Sequence, residues 1–157
     1  MIQRIQTVWL LLATVVVFAL FLFPYLQFAG ADGMGQALKV SGTFANVDGM
    51  PSRIADSWLL AGATILLGLF PLYIIFQFKD RKKQVNLIRL AMLLIVLLGV
   101  WFYFNANKAI ETEGLTLGLA NIGVGFFLLP IVLVLLWMAG TAIRKDDKLV
   151  RSADRLR

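Results

Sequence analysis

The sequence predicts an all-α membrane protein, a polytopic transmembrane four-helix bundle with both ends in the cytoplasm. Three observations predict it. The 157-residue chain is 60% hydrophobic with a mean hydropathy of +0.83, where soluble domains are usually about 45–50% apolar. Four apolar stretches approach or exceed the roughly 20 residues that cross a hydrocarbon core of about 30 Å. Charged residues make up only 15% of the chain. They lie mainly between those stretches, with the basic ones concentrated on one side.

The four spans run approximately over residues 8–28, 58–78, 87–104 and 117–143, and none holds an acidic residue. Arg89 is their one basic residue, close enough to the end of the third span to snorkel. The first stretch has a rival reading as a cleaved signal peptide, with Arg4 as its basic start and Ala29-Gly30-Ala31 as the cleavage site. Its apolar run is longer than the usual core of such a peptide, which favours a retained span.

Charge sets the orientation. Of the 15 basic residues, all but Lys39, Arg53 and Lys108 precede span one, surround the connection between spans two and three, or follow span four. By the positive-inside rule these three regions are cytoplasmic. Trp9 and Trp137 then fall near the cytoplasmic ends of their spans, and Tyr25, Trp58, Trp101 and Tyr103 near the outer ends, the depths that amphipathic rings prefer.

The connections differ in length. The turn over 79–86 is tight and that over 105–116 short, so spans two to four fold back on one another. The outer loop over 29–57 is long. In it Leu38, Val40 and Phe44 alternate with Lys39, Ser41 and Thr43, and Asp48-Gly49 is a turn signal. A short β-strand or β-hairpin capping the bundle and a flexible glycine-rich loop both fit. Pro24, Pro71 and Pro130 lie within spans, where each removes a backbone hydrogen bond and bends the helix.

The fourth span carries a face of Gly114, Gly118, Asn121 and Gly125. These residues fall within about 60° of one another at helical spacing. Such small residues admit a neighbouring helix, and Asn121 can hydrogen-bond across the contact. Packing inside the bundle or against a second copy both fit, with the former favoured because a small bundle first buries its own small-residue faces. The tail, residues 143–157, continues as an amphipathic C-terminal helix with Ile143, Leu149, Val150, Ala153 and Leu156 along one stripe. Asp147 and Arg151 on it are an i,i+4 pair. Lys79, Arg81, Lys82, Lys83, Arg144, Lys145, Lys148, Arg151, Arg155 and Arg157 are the residues expected to meet anionic lipid headgroups or a cytoplasmic partner.

The two ends of the chain, Met1-Ile2-Gln3-Arg4-Ile5-Gln6-Thr7 and the tail from Ile143 to Arg157, resemble those of an uncharacterised family of small four-span membrane proteins from Bacteroidota. The resemblance covers the whole chain but is specific only at these termini. It implies a multi-pass protein of the bacterial inner membrane and brings no activity, substrate or catalytic residue.

The residues narrow the function further. With no Cys and no His, thiol chemistry, Cys/His zinc sites and His-ligated haem are excluded, and the usual nucleophile–base pairs are missing. No enzymatic activity, cofactor or metal is therefore expected. The formal charge of +6 flanks apolar spans rather than an aromatic platform, which argues for lipid and against nucleic acid. Ion-coupled transport places ionisable groups at mid-membrane. Here the span polars are few and include Thr14, Thr64, Gln77, Asn121 and Thr141. A structural or accessory membrane component is the favoured expectation, in a larger complex or a homo-oligomer. A small transporter or channel acting as an oligomer is the alternative.

Overall fold

A computed structural model describes residues 3–30, 33–47, 50–78, 80–116 and 118–155. The order of elements is α1 (Gln3–Ala19), β1 (Leu26–Ala29), β2 (Gly35–Lys39), β3 (Gly42–Val47), β4 (Met50–Asp56), α2 (Trp58–Phe76), α3 (Arg81–Thr112) and α4 (Val124–Arg155). The chain is mostly helical. α2, α3 and residues 124–150 of α4 are long and apolar enough to cross a membrane, whereas α1 is a shorter apolar helix.

The first helix ends earlier than the expected 28. After Ala19 the hydrogen bonds tighten to i→i−3 at Leu20, Phe21 and Leu22, and Pro24 follows. Proline has no N–H to donate and pushes the residue before it out of helical geometry. Pro24 therefore ends a helix rather than kinking one, while Pro71 and Pro130 do lie inside α2 and α4.

The third helix overshoots its expected limits at both ends. Asp80 caps its start by accepting a hydrogen bond from the Lys83 amide at 3.0 Å. Its far end closes at Gly114, whose φ of 70° suits a residue without a Cβ. There the Leu115 amide donates to Ile110 and the Gly114 amide to Glu111, the paired bonds of a Schellman motif. With 32 residues at about 1.5 Å each, α3 is roughly 48 Å long.

Each helix packs on two others: α1 on α4 and α2, and α3 on α4 and α2. The core between them is lined by Leu10, Val17, Ile74, Ile95, Leu136 and their neighbours. Gly68 lets α1 approach α2, since a Cβ there would meet the Phe18 ring at 2.9 Å.

The long loop, joined by residues 26–28 from the end of the expected first span, forms a four-stranded antiparallel sheet in the order β1-β2-β3-β4. Leu26, Phe28, Leu38 and Val40 join the same core cluster as Phe102, Ala106 and Ile110 of α3, so the sheet seats on the protruding end of that helix. Gln36 donates to Glu113 there at 3.4 Å. Phe44 departs from the expected alternation. β2 ends at Lys39 and the chain reverses at Val40 and Ser41, so Thr43 rather than Phe44 pairs with Leu38. Phe44 lies on the opposite face, beneath Lys39 and Arg53 at 5.3 and 5.9 Å from its ring centre. Asp48 and Gly49 lie outside the described residues; the strands on either side pair at Val47 and Met50.

Tyr25 also differs from the expected interfacial anchor. It is buried, and its ring stacks on Phe102 at 4.4 Å. Trp58, Trp101, Tyr103 and Trp137 are exposed.

Candidate functional site

The glycine face expected on the fourth span does not form on a single helix. Gly114 ends α3, Gly118 precedes a 3-10 turn over Leu119–Asn121, and only Gly125 lies in α4. Asn121 donates locally to the Thr116 carbonyl rather than across a helix contact. Gly125 does mark a close approach, but to backbone: a Cβ there would sit 2.8 Å from the Phe23 carbonyl oxygen. Gly123, which the spacing argument missed, is tighter still against the Pro24 carbonyl. The Gly123 and Gly125 amides donate to Tyr25 and Pro24, each at 2.9 Å, and Leu26 bridges Ile122. This seam joins the start of α4 to the chain leaving α1.

The other polar residues singled out in the expected spans are used locally. Thr14 donates to the Leu10 carbonyl, Thr64 to Leu60, Thr141 to Trp137 and Met138, and Gln77 to the Tyr73 hydroxyl. None of these bonds leaves its own helix or the turn directly after it.

Charge gathers where α2 turns into α3 and α4 runs out. Arg81 opens α3, and its guanidinium reaches Asp146 at 3.4 Å and Asp147 at 4.0 Å. Asp146 is 9% exposed, held in place by a cation from another helix. Behind this clamp lies a cavity of about 180 Å³ bounded by Gln6, Thr7, Ile75, Phe78, Arg81, Gln84 and Asp146. Gln84 closes one wall by donating to the Ile74 carbonyl at 3.2 Å. Gln6 is 6% exposed, and its side-chain nitrogen has no hydrogen-bond partner among the described residues.

On the other side of Arg81 a groove of about 280 Å³ runs between α3 and α4. Lys82, Val85, Asn86 and Arg89 form its α3 wall, and Ile143, Arg144 and Asp147 its α4 wall. The groove brings together three of the basic residues expected at lipid headgroups: Arg81, Lys82 and Arg144. Lys83, Lys145 and Lys148 are exposed outside it, and Arg151 and Arg155 fall in the last turns of α4. Lys79 and Arg157 lie outside the described residues. Asn86 and the acidic partner Asp146 were not singled out by sequence. Their signal is the recurrence of 82, 85, 86 and 89 on one helical stripe, and an Asp pair inside an otherwise basic tail.

A family model described as a domain of unknown function, DUF4293, matches residues 2–156. None of the curated proteins matches the chain.

Proposed function

The chain belongs to the DUF4293 family, whose description carries no activity, and from that premise we propose a structural or accessory component of the bacterial inner membrane. In this reading the chain crosses four times, with α1 and the apolar turn after it as the first crossing. Its N-terminus, the α2–α3 turn and the tail face the cytoplasm, and the sheet lies outside. The observation that carries the accessory role is the local use of Thr14, Thr64, Gln77 and Thr141, which leaves no convergent polar set among the described residues to bind a solute mid-membrane. The helix surfaces support the membrane. No more than 33% of any membrane-length stretch is buried inside the protein. Large side chains such as Leu66, Phe76, Leu93 and Phe104 face outward, far more apolar surface than a soluble monomer exposes.

Purification from native membranes in mild detergent, followed by mass spectrometry, tests the role. A reproducible partner or a homo-oligomer is expected, and recovery of a free monomer alone counts against it. Flux of ions or small solutes in reconstituted liposomes would replace the accessory role with the transport alternative. Reporter fusions at Lys83 and Arg157 should read cytoplasm and one within 33–48 the outside; a periplasmic tail overturns the orientation.

A further inference from the structure

The α3–α4 groove has more positive charge than its own carboxylates balance. Four cations line it against one carboxylate. Arg81 is held by Asp146 and Asp147, and Asp80 is committed to capping α3. Lys82, Arg89 and Arg144 have no acidic partner among the described residues. The first turn of α3 holds Arg81, Lys82 and Lys83 and no acid, so like charge crowds the positive end of the helix dipole. That arrangement is unfavourable for the helix by itself and favours an anion bound alongside.

The two guanidiniums on opposite walls are positioned rather than loose. Arg144 donates its Nε to the Gly140 carbonyl at 3.2 Å, lying back along α4 toward the apolar part of the helix. Arg89 donates from Nη1 to Asn86 Oδ1 at 3.4 Å. Each keeps further N–H groups for an oxyanion. The groove has an apolar lining in Val85 and Ile143. On the membrane side it continues into exposed apolar stripes: Leu93 and Val96 follow Arg89 along α3, and Trp137 stands seven residues before Arg144 on α4.

We propose that this groove is a discrete site for the phosphate of an anionic phospholipid. The phosphate lies between Arg89 and Arg144 and beside Lys82, and the acyl chains follow the apolar stripes. Arginine forks suit phosphate oxygens, and basic pockets between membrane helices accept such headgroups. The apolar continuation selects a lipid over a free phosphate. The inference rests on the membrane reading and adds to it a particular ligand at particular residues.

The test inserts the full-length protein into nanodiscs of phosphatidylcholine doped with phosphatidylglycerol, then counts retained lipids by native mass spectrometry after mild detergent release. Insertion into pure phosphatidylcholine discs checks the membrane reading separately. Phosphatidylglycerol is expected to be retained in preference to phosphatidylcholine, and inorganic phosphate is expected not to displace it. Arg89→Gln with Arg144→Gln should lower that preference roughly tenfold, the scale of one charge-assisted hydrogen bond. Lys39→Gln with Lys108→Gln, which removes equal charge at the sheet end, should leave it unchanged. Normal insertion with equal retention of the two lipids by the unaltered protein overturns the site, and needs no variant to fold. Displacement by millimolar inorganic phosphate overturns the lipid assignment, and an equal loss in the sheet-end variant overturns the placement in the groove.

Discussion

Two glycines close in sequence have opposite roles. Gly123 has the Pro24 carbonyl oxygen where a methyl group would stand, while Gly118 has nothing within 4 Å among the described residues. Gly123→Ala should therefore destabilise the protein by about 1–3 kcal/mol, the usual cost of overpacking. Gly118→Ala should stay within about 0.5 kcal/mol. Thermal unfolding in detergent compares them, and equal shifts would show that the backbone seam is not the constraint. Gln6 gives a prediction of the opposite sign. Its buried amide nitrogen lacks a partner among the described residues, and a buried donor left unpaired costs about 1–3 kcal/mol. Gln6→Leu, of similar size, should leave the unfolding temperature unchanged or raise it; a clear fall would mean that the amide is satisfied within its cavity. Arg81 bridges two helices through a carboxylate that is largely out of water. Arg81→Ala should cost about 1–2 kcal/mol, between the values for exposed and buried pairs, and Asp146→Asn in the same protein should recover part of that loss.

At the scale of elements, hydrophobic length was legible and the ends were not. A run of about 20 apolar residues is its own signal, so α2 and the middles of α3 and α4 could be placed from sequence alone. Where α1 stops depends on which of two uses the chain makes of Leu26 and Phe28. Both are as apolar as a span requires, and only pairing with β2 assigns them to a strand. The glycine pattern misled for a related reason: helical spacing between Gly114 and Gly125 has meaning only if the segment is helical, and Gly114 itself ends the helix. The basic residues of the groove could be named, but their convergence required the packing of α3 on α4. Likewise, alternation within β2 was readable, while the change of face at Phe44 came from the turn at Val40 and Ser41. The sheet makes its own prediction. A Cβ at Gly42, which has a φ of 152°, would strike the Ala55 carbonyl. Gly42→Ala should open β3 from β4 and expose 42–56 to limited proteolysis, while helical circular dichroism is retained. Unchanged cleavage would mean that the strands tolerate the added methyl group.

For the whole molecule the decisive quantity is what the outward surface meets. Leu97 is exposed near the middle of α3. An arginine at the centre of a membrane helix costs about 2.5–3.5 kcal/mol on insertion scales. Leu97→Arg should thus reduce the membrane-integrated fraction measured by carbonate extraction, whereas Glu111→Arg, exposed near the far end of α3, should not. Equal extraction of the two variants would argue that this face meets protein or water instead of lipid. The sheet and the clamp bound this surface at its two ends: Gln36 and Glu113 join the sheet to α3 at one, and Arg81 with Asp146 and Asp147 joins α3 to α4 at the other.

The seam between Pro24–Leu26 and Ile122–Gly125 also has a bearing on time. Its two sides are separated by nearly all the chain between the first and last helices, and contacts so remote in sequence close late because the intervening loop must first be ordered. During synthesis, α1 and all four strands exist before residues 122–125, which dock beside the first of them. The free edge of β1 is covered by Ile122 only after α4 has begun to emerge. Until then the early half is a set of helices and a hairpin stack with one side open, a form that chaperones or insertion factors would meet and the mature protein does not display. Completion is therefore a single late event, set by the arrival of the last helix.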